Sequence, residues 1–147
     1  MKNPFKSCIW YFFGVSFFAG ASFGGGQYFC VGETEGTSRS FNFGAETIRN
    51  GYKFTALDRE IECETSIAPA TGKSPRYEYQ NAVNAVPSKS QESCDQFVRE
   101  VLGGGKRDRF LSAQVMFDDD SLNNAISFEY GASIRGTKNQ AAMCMKR

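Results

Sequence analysis

The sequence predicts a small α+β domain in which one N-terminal helix packs on a small antiparallel sheet. The first reason is an early segment whose apolar residues recur at helical spacing, and the second is a late pair of segments in which apolar and polar residues alternate. The third is size, because 147 residues with 41% hydrophobic and 22% charged residues suit one globular domain. This composition argues against a disordered chain.

The first 21 residues have the pattern of a secretory signal peptide. Lys2 and Lys6 precede an apolar run over residues 8–21, which is shorter than the ~20 residues that span a bilayer. A buried core helix is the alternative, but the many aromatic residues so close to Met1 serve no amphipathic face. We therefore expect cleavage after Ala21 or a few residues later, and a secreted mature domain over residues 22–147.

In the first half of the mature chain the sequence predicts one helix. Residues 27–31 are a short strand candidate. Ser38 or Ser40 can cap a helix whose apolar residues follow at intervals of three and four, and Asn50-Gly51 would end it. The apolar residues in question are Phe41, Ala45, Ile48 and Tyr52. A strand is also expected at residues 61–63, and loops at residues 68–75 and 87–93.

Strands are expected to dominate the second half. Residues 96–102 are predicted to be a strand, followed by a glycine turn over residues 103–108. Residues 111–117 carry apolar residues at odd positions, and Ile126, Phe128 and Tyr130 share one face of residues 125–130. These alternations predict an antiparallel hairpin. A last strand is expected at residues 141–144.

Charge and composition exclude several classes of function. The full chain has seventeen basic and sixteen acidic residues, a net charge of +1. Removal of Lys2 and Lys6 with the signal peptide leaves fifteen basic and sixteen acidic residues, a net charge of −1. Neither charge favours a protein that coats nucleic acid. Histidine is absent, which removes the commonest general acid–base group and metal ligand. Asp118-Asp119-Asp120 lacks the other ligands of a calcium loop and is interpreted as a polar turn. No metal or cofactor is expected.

Four cysteines remain after cleavage, namely Cys30, Cys63, Cys94 and Cys144. An even number in an exported chain predicts two disulfides, and the sequence alone allows three pairings. A Cys30–Cys144 bond would close the longest loop and stabilise the domain by ~2–4 kcal/mol. A zinc site is disfavoured, because no two of these cysteines are close in the sequence and no histidine is present.

The order of these features resembles a known family. Tyr28-Phe29-Cys30 opens the mature chain, a glycine turn leads into Asp108-Arg109, the hairpin runs from Val115 to Ile126, and Cys144 lies near the end. This order is similar to that of the guanyl-specific secreted fungal ribonucleases and, more closely, of the ribonuclease-like effectors of cereal powdery mildews. The resemblance covers nearly the whole mature chain at low identity. It implies a microbial ribonuclease-like fold tied by the disulfides Cys30–Cys144 and Cys63–Cys94.

The same resemblance implies that the catalytic groups are lost. Arg109 matches the family's catalytic arginine, but Tyr77 stands where a catalytic histidine is expected. Gln96 takes the place of the base carboxylate, and Phe128 that of the acid histidine. Each missing proton-transfer group costs roughly 10²–10⁴ in rate, so we expect a protein without enzymatic activity. Glu92 or Asp95 could replace the base, but no acid with a pKa near neutrality is evident.

A cationic cluster is the candidate binding site. Lys106, Arg107 and Arg109 place three cations in four positions, and Tyr77 and Tyr79 could stack on bases. Gly103-Gly104-Gly105-Lys106 lacks the spacing of a P-loop and is interpreted as a turn. The alternative is a solvated turn with tyrosines in the core.

The expected function is that of a secreted, catalytically inactive effector. It would be translocated into a plant host cell and act there as a monomer without membrane attachment, binding RNA, a ribonucleoprotein or a host protein. Some members of the resembling group are avirulence proteins sensed by a plant immune receptor, and such a receptor is a candidate partner. An active secreted ribonuclease and an extracellular antimicrobial or defence protein on the same fold are the alternatives.

Overall fold

A computed structural model describes residues 26–34, 39–68, 82–117, 124–133 and 136–147. Its elements are, in chain order, β1 (Gln27–Glu33), β2 (Ser40–Ile48), β3 (Gly51–Thr55), β4 (Glu62–Ile67), β5 (Val83–Pro87), α1 (Gln91–Glu100), β6 (Arg109–Met116), β7 (Asn124–Gly131) and β8 (Lys138–Lys146). Every strand pairs antiparallel with its neighbours in the chain, and β1 also pairs with β8. The sheet thus closes into an eight-stranded barrel. The predicted α+β fold, with an N-terminal helix on a small ribonuclease-like sheet, is wrong.

The two ends of the barrel carry different connections. Because consecutive strands alternate in direction, the β1–β2, β3–β4, β5–β6 and β7–β8 connections lie at one end, and the other connections lie at the opposite end. Helix α1 belongs to the β5–β6 connection. We call its end of the barrel the upper end and the opposite one the lower end.

The segment predicted as the N-terminal helix is strand β2. Phe41, Phe43 and Ala45 are all buried, and the residues between them are more exposed, which is the period of a strand. The helical interpretation used Phe41 and Ala45 but left out Phe43. Asn50, with a φ of 62°, makes the turn into β3. The Asn-Gly pair therefore turns a hairpin and does not end a helix.

Residues 96–102, predicted as a strand, belong to α1 and the turn that follows it. Cys94, Phe97, Val98 and Leu102 are fully buried at helical spacing. The hydroxyl of Ser90 accepts a hydrogen bond from the Ser93 N–H at 3.1 Å and caps the helix. The prediction of a loop over residues 87–93 missed this cap, and with it the start of the helix.

The late hairpin is confirmed. Strands β6 and β7 pair with Val115 opposite Ile126, and Ile126, Phe128 and Tyr130 are buried on the inner face. The short strands expected at residues 27–31 and 141–144 lie within β1 and β8. A register shift between Phe110 and Ser112 leaves Leu111 exposed, which simple alternation did not predict.

Aromatic rings fill the upper half of the barrel interior. The Phe97 ring of α1 lies 5.4 Å from that of Phe43, 6.1 Å from that of Phe54 and 5.7 Å from that of Phe128. The Phe110 ring lies 6.0 Å from that of Phe128, and all five residues are buried. An eight-stranded barrel has an interior that side chains can fill. Helix α1 therefore closes the upper end of the barrel.

Two disulfides are present, which confirms the expectation of disulfide bonding. Cys30–Cys144 joins directly opposed residues of β1 and β8, and Cys63–Cys94 joins β4 to α1. These are the pairs that the resemblance implied. The first locks the seam where the barrel closes, and the second holds α1 over the upper end.

The signal-peptide prediction for residues 1–21 falls outside the described residues. Within the described part of the chain, no helix is long and apolar enough to cross a membrane.

Candidate anion-binding rim

The chain leaves α1 through a tight glycine segment. Gly103 has a φ of 80°, a backbone conformation that favours glycine, and the Gly104 N–H donates to the carbonyl oxygen of Val98 at 2.9 Å. A Cβ at Gly104 would lie 2.7 Å from Val98 Cγ1. The glycines therefore end the helix and bring the following turn close to it.

The carboxylate of Asp108 anchors that turn. Its Oδ2 accepts a hydrogen bond from the Gly105 N–H at 2.7 Å, and the Asp108 N–H donates back to the Gly105 carbonyl at 3.1 Å. The Asp108 side chain is 6% exposed. Lys106 and Arg107 occupy the two central positions of the turn and are exposed. Their cationic groups are thus presented to solvent by a buried acidic anchor.

A fourth cation comes from a distant part of the chain. The ammonium group of Lys138, at the start of β8, donates to the same Asp108 Oδ2 at 3.1 Å. Its side chain is 58% exposed. Lys138 was not among the predicted site residues, because it follows Asp108 by 30 residues and no local pattern marks it.

Arg109 lies over a second buried carboxylate. Asp95 Oδ1 accepts hydrogen bonds from the Phe110 N–H at 2.8 Å and from Gln91 Nε2 at 2.7 Å. Arg109 Nε is 3.6 Å from Asp95 Oδ2, and the Arg109 side chain is 62% exposed. The short bonds of Asp95 fasten α1 to β6, and the longer ion pair leaves most of the Arg109 side chain in solvent.

We call Lys106, Arg107, Arg109 and Lys138 the cationic rim. Four cations against the two carboxylates of Asp95 and Asp108 leave a local charge of +2. Among the described residues, neither Lys106 nor Arg107 forms an ion pair, whereas Arg109 and Lys138 each form one. Ammonium and guanidinium groups donate hydrogen bonds and accept none. The rim can therefore bind an anion such as phosphate.

A separate ion-pair network occupies the β3–β4 side of the upper end. Arg59 Nη1 is 2.8 Å from Glu100 Oε1, and Arg59 also pairs with Asp58. The hydrogen bond from Gln96, followed by that from Arg59, lowers the pKa of Glu100 below its ordinary value of 4.5. Gln96, which the resemblance placed at the position of the base, thus contacts a surface carboxylate of the same helix.

The structure brings together only part of the predicted site. Lys106, Arg107 and Arg109 form one surface, but Tyr77 and Tyr79 lie outside the described residues. The rim is at the upper end.

Phe128, one of the positions implied to be catalytic, does not share a surface with Arg109. Phe128 is fully buried among the core rings, whereas Arg109 is exposed at the rim. The closed barrel thus separates two residues that the ribonuclease comparison placed in one site.

The described residues contain no group of three or more acidic or cysteine side chains that could hold a metal ion, and Asp118-Asp119-Asp120 lie outside them. Comparisons with protein-family models, with curated proteins and with solved structures gave no significant match.

Proposed function

We propose that the protein is secreted, acts without catalysis, and binds the phosphate groups of RNA or of a ribonucleoprotein through the cationic rim. The observation that carries this proposal is the pair Lys106 and Arg107, which are exposed and form no ion pair among the described residues. Exposed cations of this kind gain free energy from phosphates by releasing counterions. Arg109 and Lys138 extend the same surface.

The chemistry of the rim supports binding and not turnover. The carboxylates beneath it are both committed, since Asp95 holds Gln91 and the Phe110 N–H while Asp108 holds Gly105 and Lys138. A general base needs a proton acceptor within reach of the substrate. Carboxylates buried under the turn and already hydrogen-bonded do not meet that need.

The place of action is proposed from the sequence. The signal-peptide pattern and the two disulfides support export into an oxidising environment. The motif order shared with mildew effectors supports action inside a plant host cell, where an immune receptor would be one further partner. The barrel excludes the ribonuclease fold, so the proposed place of action rests on the short motifs and the cysteine pairing.

Binding to single-stranded RNA oligomers across a salt series tests the proposal. The oxidised mature protein should bind weakly and without base preference, and three to four phosphate contacts give a log–log salt slope of about 2–3 in magnitude. Lys106→Ala/Arg107→Ala should remove most of this affinity. Fluorescence anisotropy with G-rich and U-rich oligomers measures both quantities.

The matched control removes two exposed cations that do not belong to the rim. Lys89 pairs with Glu64 at 3.5 Å, and Arg49 lies in the turn between β2 and β3. Lys89→Ala/Arg49→Ala should leave RNA affinity nearly unchanged. Equal losses in both double variants would indicate a general charge effect, and salt-independent binding would contradict a phosphate site. If the wild-type protein binds no RNA but captures a host protein through the rim, the partner is that protein and not RNA.

A further inference from the structure

The outer surface of the barrel carries an uncharged apolar row across four strands. Met116 of β6 lies opposite Ala125 of β7, Ala125 lies opposite Met143 of β8, and Met143 lies opposite Val31 of β1. All four alternate with buried residues and therefore face outward. Val31 is 44% exposed and Met143 is 53% exposed.

A second row lies directly below the first. Met145 of β8 pairs with Phe29 of β1. Met145 is 65% exposed, more than any other large hydrophobic residue in the described part of the chain. We call the two rows together the methionine band, consisting of Phe29, Val31, Met116, Ala125, Met143 and Met145. Within the described parts of β1, β6, β7 and β8, no charged side chain lies between the members of the band.

The band contrasts with the outer face of β2 to β4. There Lys53 lies 3.7 Å from Glu46 and 3.9 Å from Glu62, and Lys89 lies 3.5 Å from Glu64. One side of the barrel is thus covered by ion pairs and the other by exposed apolar side chains. Contiguous apolar surface of this kind marks an interaction site.

The methionine band combines a rigid backbone with flexible side chains. The Cys30–Cys144 disulfide lies on the inner face of the same two strands, between the two rows. Methionine side chains are flexible and fit irregular partner surfaces. A preformed backbone lowers the ordering cost of association.

We propose that the methionine band is the interface of a homodimer. Two copies would meet face to face about a two-fold axis that runs across the strands at the level of the Cys30–Cys144 disulfide. This axis reverses strand direction, so Val31 of one copy meets Phe29 of the other, and Met143 meets Met145. Phe29, Val31, Met143 and Met145 thus contact the same set of residues in the other copy, as an isologous interface requires.

Charge complementarity selects a second copy as the occupant. Glu33 is exposed at the upper end of β1, and Arg147 lies at the lower end, where its N–H donates to the Gln27 carbonyl at 2.7 Å. The two-fold axis places Glu33 of each copy over Gln27 of the other, with Arg147 beside it. Glu46, on the other side of Gln27, is already paired with Lys53. Among the described residues, the centre of this interface holds no charged side chain, and its edge brings Glu33 of one copy close to Arg147 of the other.

Sedimentation of the oxidised mature protein over a concentration series tests the proposal. The wild type should show a reversible monomer–dimer equilibrium. Met143→Asp, which places a charge at the centre of the interface, should weaken dimerisation by more than about tenfold. Leu111→Asp is the control, because Leu111 is 40% exposed and lies outside the band. It should leave dimerisation unchanged.

A charge exchange tests the orientation without disturbing the fold. Glu33→Lys and Arg147→Glu should each weaken the dimer, and the double variant should recover part of the loss. A wild type that stays monomeric up to ~1 mM overturns the proposal, as does a dimer that Met143→Asp leaves intact. Binding of a monomeric protein to phospholipid vesicles or to an amphipathic peptide through the band would assign it another occupant and also overturn the dimer.

Discussion

Single residues determine how closely the strands approach. Gly51 starts β3, where a Cβ would lie 1.8 Å from the carbonyl oxygen of Thr65 on β4. The Thr65 hydroxyl accepts from the Tyr52 N–H at 3.2 Å and donates to the Tyr52 carbonyl at 2.8 Å. The backbone contact and the buried hydroxyl together hold β3 against β4.

Gly51→Ala should therefore destabilise the protein by about 3 kcal/mol or more, because backbone atoms must move to accept the methyl group. Chemical denaturation measures this change. Gly44→Ala is the matched control, since its Cβ would lie 3.6 Å from Leu57 Cδ2, an ordinary contact. Gly44→Ala should be neutral or slightly stabilising. Similar losses in both variants would contradict a specific clash at Gly51.

At the same scale, Asp108 explains why the rim exists. One oxygen of its side chain, which is 6% exposed, binds Gly105 and Lys138 and so links the glycine turn to β8. The neighbouring cations could be predicted from the sequence, but this anchor could not. The sequence does not show whether an aspartate beside an arginine is buried or exposed to solvent.

At the scale of elements, α1 is held to the barrel in several ways. Phe97 enters the aromatic core, Cys94 is bonded to Cys63, and Glu100 pairs with Arg59 in the β3–β4 connection. Hydrogen bonds from Gln96 and Arg59 lower the pKa of Glu100. A hydrogen bond from Arg59 lowers the pKa of Asp58.

This network predicts a small acid-dependent loss of stability. A carboxylate whose pKa is lower in the folded state than in the unfolded state stabilises the folded protein at pH values above the unfolded-state pKa. This stabilisation disappears as the pH falls through the folded-state pKa. The midpoint of urea unfolding should therefore decrease less between about pH 5 and pH 3 in Glu100→Gln than in the wild type. The difference in stability is small because the Arg59–Glu100 ion pair is exposed to solvent. Glu60→Gln is the control, because Glu60 is an exposed acid of the β3–β4 connection that forms no ion pair among the described residues. Identical pH profiles for Glu100→Gln and wild type would exclude the proposed contribution.

At the scale of the whole molecule, closure of the barrel depends on the β1–β8 seam. Cys30 and Cys144 are 114 residues apart in the sequence, whereas Cys63 and Cys94 are 31 apart. Chain entropy makes the longer loop the more stabilising, by about 1 kcal/mol in this range.

Replacing Cys30 and Cys144 together by serine should lower the free energy of unfolding more than replacing Cys63 and Cys94 by serine. Thermal and chemical denaturation of the two double variants measure the order. The opposite order would show that attachment of α1 contributes more to the free energy of unfolding than closure of the β1–β8 seam does.

The sequence by itself determined the features that depend on neighbouring residues. The hairpin from Val115 to Ile126 follows from strict alternation, and the cationic turn at Lys106 and Arg107 follows from glycines beside charged residues. The even number of mature cysteines indicated disulfides.

The tertiary structure decided what local pattern left ambiguous. Phe41 and Ala45 fit a helix as well as a strand, and only pairing with β1 and β3 makes them β2. Residues 96–102 form a helix and turn because Phe97, Val98 and Leu102 must fill the open end of a barrel, which no neighbouring residue signals.

The same reason applies to the two surfaces proposed for binding. Lys138 joins the rim, and Met116 aligns with Ala125, Met143 and Val31, because barrel closure brings distant strands into register. Strand order and register depend on contacts between residues far apart in the chain, and sequence periodicity carries no information about those contacts.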